Sequence, residues 1–150
     1  MATETVHTHT EQTTLQFSIW KYSIAGVIAG LIAGIGNNLW ILAYPFISGH
    51  DAPAGVDAMS VSVFSFIPMV IAGLFYYGIS IKDAARGTRI FVGLGVLIFL
   101  ASLYGPLNPE QLSSMLGGEV PEGFALFTIP MHVIAAAAAV IFMPRFVMSD

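Results

Sequence analysis

Charge is absent from four long stretches of this 150-residue chain, and that distribution decides what it can fold into. No Asp, Glu, Lys or Arg lies between Lys21 and Asp51, between Asp57 and Lys82, between Arg89 and Glu110, or between Glu122 and Arg145. Each stretch approaches or exceeds the roughly 20 apolar residues that an α-helix needs to cross a bilayer core of about 30 Å. Lipid offers no water to satisfy backbone N–H and C=O groups, so such segments fold as helices that bond internally. The sequence therefore predicts an all-α membrane protein, a four-transmembrane-helix bundle with spans over approximately 20–44, 59–81, 90–107 and 123–144, inside a domain of residues 17–146. Composition agrees: 9% of residues are charged and 56% hydrophobic, against about 25% charged in an ordinary soluble domain.

The flanks set the expected orientation. Residues 1–16 are Thr-rich and carry Glu4 and Glu11 but no Lys or Arg, so they read as a disordered cytoplasmic tail rather than a cleavable signal peptide. Once four spans are drawn, Lys21, Lys82, Arg86, Arg89 and Arg145 all flank one side, while Asp51, Asp57, Glu110, Glu119 and Glu122 collect on the other. The excess of cations marks the cytoplasmic face. The expectation is a multi-pass protein of the cell membrane with both termini cytoplasmic, residues 147–150 forming the C-terminal end. The anionic outer surface makes nucleic acid an unsuitable partner.

Local signals fill in this frame. Trp20, Tyr22, Trp40 and Tyr44 are spaced like interfacial aromatic anchors of the first span. Lys82 to Arg89 reads as a tight basic turn, whereas the stretches from Pro45 to Ala58 and from Gly105 to Pro121 are longer and rich in turn residues. In the latter, Asn108, Pro109, Glu110 and Gln111 suit the first positions of a short helix ended by Gly117. Leu112, Met115 and Leu116 would share its apolar face. Gly26, Gly30 and Gly34 recur at intervals of four, so one side of the first helix is nearly bare backbone and invites close approach by another helix. Packing within the bundle and a homo-oligomer interface are both open. Phe64 to Ala72 (FSFIPMVIA) and Leu126 to Ala135 (LFTIPMHVIA) are alike, which would make the bundle two repeated hairpins if they correspond.

Helix three with its flanks, ARGTRIFVGLGVLIFLASLYGPL, and the fourth-span sequence IPMHVIAAAAAVIFMPR resemble a family of small bacterial four-span proteins known only as domain of unknown function 6069. The resemblance runs from about Gly26 to Arg145 and is carried by the turn with Arg86 and Arg89, the Ser102 to Pro106 end of helix three, and the Met131–His132 pair. It implies a four-helix topology and brings with it no activity, ligand or catalytic residue.

Chemistry-bearing residues are few. Asn37 and Asn38 in the first span and His132 in the fourth fall at similar depth in the outer half, about 10–12 Å inside the helix ends at about 1.5 Å per residue. Amides and imidazoles in hydrocarbon need partners, so these three are expected to converge, either as a structural hydrogen bond or as a ligand site. Pro68 and Pro130 each free a backbone carbonyl, with Ser65 and Thr128 near enough to re-satisfy some of what is lost. No cysteine is present, which excludes disulfides, thiolate metal sites and cysteine nucleophiles. A single intramembrane histidine does not supply two axial haem ligands, and the pairs His50–Asp51 and His7–His9 are too small for a metal site. No cofactor and no catalytic residue is therefore assigned; His132 as a general base lacks a carboxylate or nucleophile beside it. The reading is a non-enzymatic small membrane protein embedded in the lipid bilayer. It would act as an accessory subunit of a larger membrane complex or as a module binding an apolar or amphipathic molecule such as a lipid or quinone-like ligand. A passive transporter or channel component is the alternative.

Overall fold

The computed structural model describes residues 2–53, 56–117 and 119–149, with helix side chains from Ile19 onward except those of Met115 and Leu116. The elements are α1 (Ala2–Ser48), α2 (Ala58–Ser80), α3 (Ala84–Ser102), the single turn α4 (Tyr104–Leu107), α5 (Pro109–Leu116), α6 (Phe124–Ala137), a π turn (Ala138–Phe142) and α7 (Met143–Met148). Among the described residues, four helices are long and apolar enough to cross a membrane: Ile19–Ser48, Ala58–Ser80, Ala84–Leu107 and Phe124–Met148. The segment read as a tail is continuous with the α1 backbone, and its side chains lie outside the described residues.

The spans run up, down, up, down. Lys21 Nζ donates to Ser149 O, and the α2–α3 turn lies at that same end, hereafter the termini end. At the opposite, loop end, Tyr44 Oη donates to Gly123 O at 3.2 Å. All five Lys and Arg residues sit at the termini end. Arg86 and Arg89 belong to the first turns of α3 rather than to the connection, because Asp83 caps the helix by accepting from Arg86 N at 2.9 Å.

The most extensive helix–helix contact is between α1 and α2. A Cβ at Gly26 would lie 2.8 Å from Met69 O, and one at Gly73 would lie 2.7 Å from Tyr22 O, so only glycine lets these two backbones meet. In lipid the gain comes from dispersion and close fit rather than from expelling water. On a neighbouring side of α1, the fully buried Ala25, Ala29 and Ala33 join Ala138 and Met143 of the fourth span in one core cluster with Tyr22, Met69, Tyr76 and Phe91. Tyr22 sits edge-on to Tyr76 with ring centroids 4.8 Å apart, and Phe91 stacks on Tyr76 at 4.3 Å. The aromatic-anchor expectation is therefore corrected for three of its four residues. Tyr22 is core, Tyr44 is 1% exposed, and half-buried Trp40 hydrogen-bonds across to the fourth span; Trp20 alone projects outward.

α3 meets α2 near their turn, where Gly87 lies under Ser80 and Phe91 stacks on Tyr76. Farther along, Gly95 faces Val140, so α3 has moved to the fourth span. In the loop half of α2, Phe64 is 79% exposed. Within the fourth span the α pattern yields to a π turn in which Met143 N reaches back to Ala138 O; Pro144, which follows, has no N–H with which to continue an α ladder.

α5 has the expected bounds, and Gly117 ends it at φ 69. Its start differs: Asn108 makes no side-chain cap bond and instead donates to Tyr104 O at 2.8 Å, while Gln111 Oε1 accepts from Tyr104 Oη. Leu112 packs beside Gly105; the rest of the expected apolar face, Met115 and Leu116, lies outside the described residues.

Candidate ligand cleft in the loop half

Adjacent residues of a helix point about 100° apart, so Asn37 and Asn38 cannot serve the same face. Asn37, 4% exposed, donates from Nδ2 to Ser65 Oγ at 2.9 Å. Asn38 donates to Gly34 O at 2.8 Å and to Ser62 Oγ at 2.9 Å. Ser62 and Ser65 stand three apart on α2, hence on one side of it, and so α1 and α2 are joined by two amide–hydroxyl rungs. These serines are the site residues that the sequence reading missed as partners. Their signal was available: two serines at helical spacing in an apolar span need partners as much as two asparagines do. Ser65 was instead expected to compensate Pro68; its hydroxyl accepts across the helix pair from Asn37.

A cleft of about 430 Å³ opens beside the Asn37 rung. α1 supplies its back through Asn37; α2 supplies Val61, Ser65 and Met69; α6 supplies Phe127, Met131 and His132. No residue of α3 lines it, in keeping with the departure of that helix from α2. The two similar segments, around Ile67-Pro68-Met69 and Ile129-Pro130-Met131, contribute facing walls.

Asn37 and His132 thus border one cleft, as the sequence reading anticipated, but Asn38 does not. Asn38 lines a separate groove of about 720 Å³ on the outer side of the α1–α2 pair, with Gly30, Gly34, Leu31 and Leu39. The expected convergence of all three is corrected to a pair. Gly30 packs against Phe66, where a Cβ would lie 2.8 Å from Cδ2, whereas Gly34 has nothing nearer than Ser62 Cα at 4.0 Å.

Among the described residues two buried side-chain atoms lack a hydrogen-bond partner, Ser80 Oγ in the α2–α3 contact near the termini end and Asn37 Oδ1 beside this cleft. The half-buried His132 makes no side-chain hydrogen bond among the described residues. An unfilled amide acceptor in an apolar surrounding costs about 1–3 kcal/mol, so a ligand that fills it gains what the protein alone forgoes. At the loop end the cleft wall is braced: Trp40 Nε1 donates to Phe127 O at 2.8 Å, and the Tyr44 and Phe127 rings meet edge-on at 4.9 Å. Gly123, at φ 77, opens α6 with Tyr44 Oη where a Cβ would be, 2.6 Å away. Thr128 bonds within its own helix to Phe124 O at 2.8 Å.

Among the described residues no group of three or more His, Asp or Glu gathers to hold a metal; His50 lies by Gly123 near the loop end, and the side chains of His7 and His9 lie outside the described residues. Compared with protein-family models, curated proteins and solved structures, the chain matches none.

Proposed function

We propose that this chain is a non-enzymatic membrane protein that binds an apolar or amphipathic molecule in the cleft between its second and fourth spans. The observation that carries the reading is the buried, partnerless Asn37 Oδ1 beside a cleft of about 430 Å³ that His132 also lines. That volume falls within the roughly 300–1,000 Å³ usual for small-molecule sites, and a mostly apolar wall with few polar groups is their usual composition. The proposed orientation puts the cationic termini end in the cytoplasm and the cleft in the outer half. Reporter fusions after Lys82 and Asp150 should read cytoplasmic and one at Ser113 external; an external C-terminus would reverse the assignment.

The binding itself is tested by native mass spectrometry of protein released directly from its membrane. Wild type should carry a bound small amphiphile. Ala135→Phe, which puts a ring into the cleft, should lose it while keeping its helical content. Identical adducts on both proteins, or none on wild type, would defeat the reading. An accessory-subunit role draws on a different surface, the outer groove where half-buried Asn38 meets exposed Leu31 and Leu39. It predicts a stable larger complex in mild detergent that Asn38→Leu disperses.

A further inference from the structure

We infer that the cleft selects an uncharged amphiphile by its hydroxyl group, held between the Asn37 carboxamide at the back and the His132 imidazole on the α6 wall. The inference rests on the cleft-binding reading above and narrows its ligand class.

The lining contains no Asp, Glu, Lys or Arg. A carboxylate, phosphate or ammonium head group would lose its hydration there without a formal opposite charge, which is far costlier than desolvating a neutral group. The head group is therefore uncharged.

Its polarity is set by what the protein leaves open. Asn37 Nδ2 is engaged with Ser65 Oγ, so the open end of the amide is Oδ1, an acceptor that needs a donor. A neutral imidazole brings one N–H donor and one ring-nitrogen acceptor. A ketone or quinone oxygen accepts only and cannot fill Oδ1. A hydroxyl donates to Oδ1 while accepting from the imidazole, and it does so with a single oxygen. Oδ1 is buried, and a hydroxyl is the smallest group able to perform both functions there. The apolar remainder of the ligand meets Val61, Met69, Phe127 and Met131. Outward lies Phe64, 79% exposed, where an acyl chain or ring system can continue into lipid. Long-chain alcohols, acylglycerols and ring alcohols share this chemistry.

The test uses Trp40, which is hydrogen-bonded to Phe127 O on the cleft wall, as the reporter in a Trp20→Phe background. Full-length protein in phosphatidylcholine nanodiscs is titrated with three probes that share one brominated long chain: the alcohol, the methyl ketone and the carboxylic acid, each expressed as mole fraction of lipid. The alcohol should quench Trp40 saturably, half-saturating at about threefold to tenfold lower mole fraction than the other two, the size of one hydrogen bond. Asn37→Leu and His132→Phe should each erase that preference while leaving apolar binding by all three probes. Because Asn37→Leu also removes a rung to Ser65, His132→Phe provides the independent reading should the first variant fail to fold. Equal half-saturation by the ketone or the acid, or a preference that survives in His132→Phe, would overturn the hydroxyl assignment while cleft binding stands. If none of the probes quenches saturably, cleft binding itself fails.

Discussion

The two halves of this bundle are held together differently. Toward the termini, α1, α2 and α3 join through bare backbone and interlocked rings: Gly26 on Met69, Gly73 on Tyr22, and Tyr76 between Tyr22 and Phe91. Toward the loops, side-chain hydrogen bonds take over, from Asn37 to Ser65, Asn38 to Ser62, Trp40 to Phe127 and Tyr44 to Gly123. The first arrangement brings the α1 and α2 backbones into direct contact. The second links the helices through side chains, and beside its Asn37 rung a cleft opens that no residue of α3 lines. The same four helices thus meet through glycine backbone at one end and through polar side chains beside a cleft at the other.

The glycine register offers the sharpest way to break this comparison. Gly26→Ala puts a methyl group 2.8 Å from Met69 O and should cost about 1–3 kcal/mol. Gly34→Ala, with its nearest contact at 4.0 Å, should be neutral or stabilising by up to about 0.5–1 kcal/mol, since alanine suits a helix better. Thermal unfolding of both in one detergent decides it; equal losses would mean that the two halves do not differ in closeness.

Next in size are the rungs. A double-mutant cycle on Asn37→Ala and Ser65→Ala should give a coupling near 0.6 kcal/mol and below about 1.7 kcal/mol, the range of interhelical bonds in lipid. The Asn38 and Ser62 cycle should give less, because Asn38 keeps its bond to Gly34 O within α1. A larger coupling at Asn38 would shift the main polar contact out of the cleft. Tyr44→Phe should lose only about 0.5 kcal/mol, its bond to Gly123 O being long at 3.2 Å; a greater loss would show that the loop end depends on that hydroxyl.

The smallest effect concerns pH. The Ser60 backbone N–H holds the Asp57 carboxyl, the α2 N-cap, below its ordinary value of 3.8. A lowered folded value means that the cap's contribution is complete above the unfolded value and fades as pH falls through the lower folded one. Melting curves taken down through that range should show a shallow acid loss that Asp57→Asn removes. An unchanged profile in the variant would assign the acid sensitivity elsewhere.

Charge spacing by itself determined the number of spans, their approximate bounds and the gathering of cations at one end, because each is a one-dimensional consequence of what lipid excludes. Asn37 and His132 were legible as a pair for a related reason: polar groups are so rare in these spans that depth alone brings them together. Azimuth was not legible. Which of Asn37 and Asn38 meets His132, which serines answer them, and whether Tyr22 and Tyr44 face lipid or core all depend on how each helix is rotated about its axis. That rotation is set by close glycine contacts such as Gly26 against the Met69 carbonyl and Gly95 against the Val140 side chain. An apolar helix in lipid is hydrophobic on every side, so its sequence has no polar face to announce the rotation, and only the packed bundle decides it.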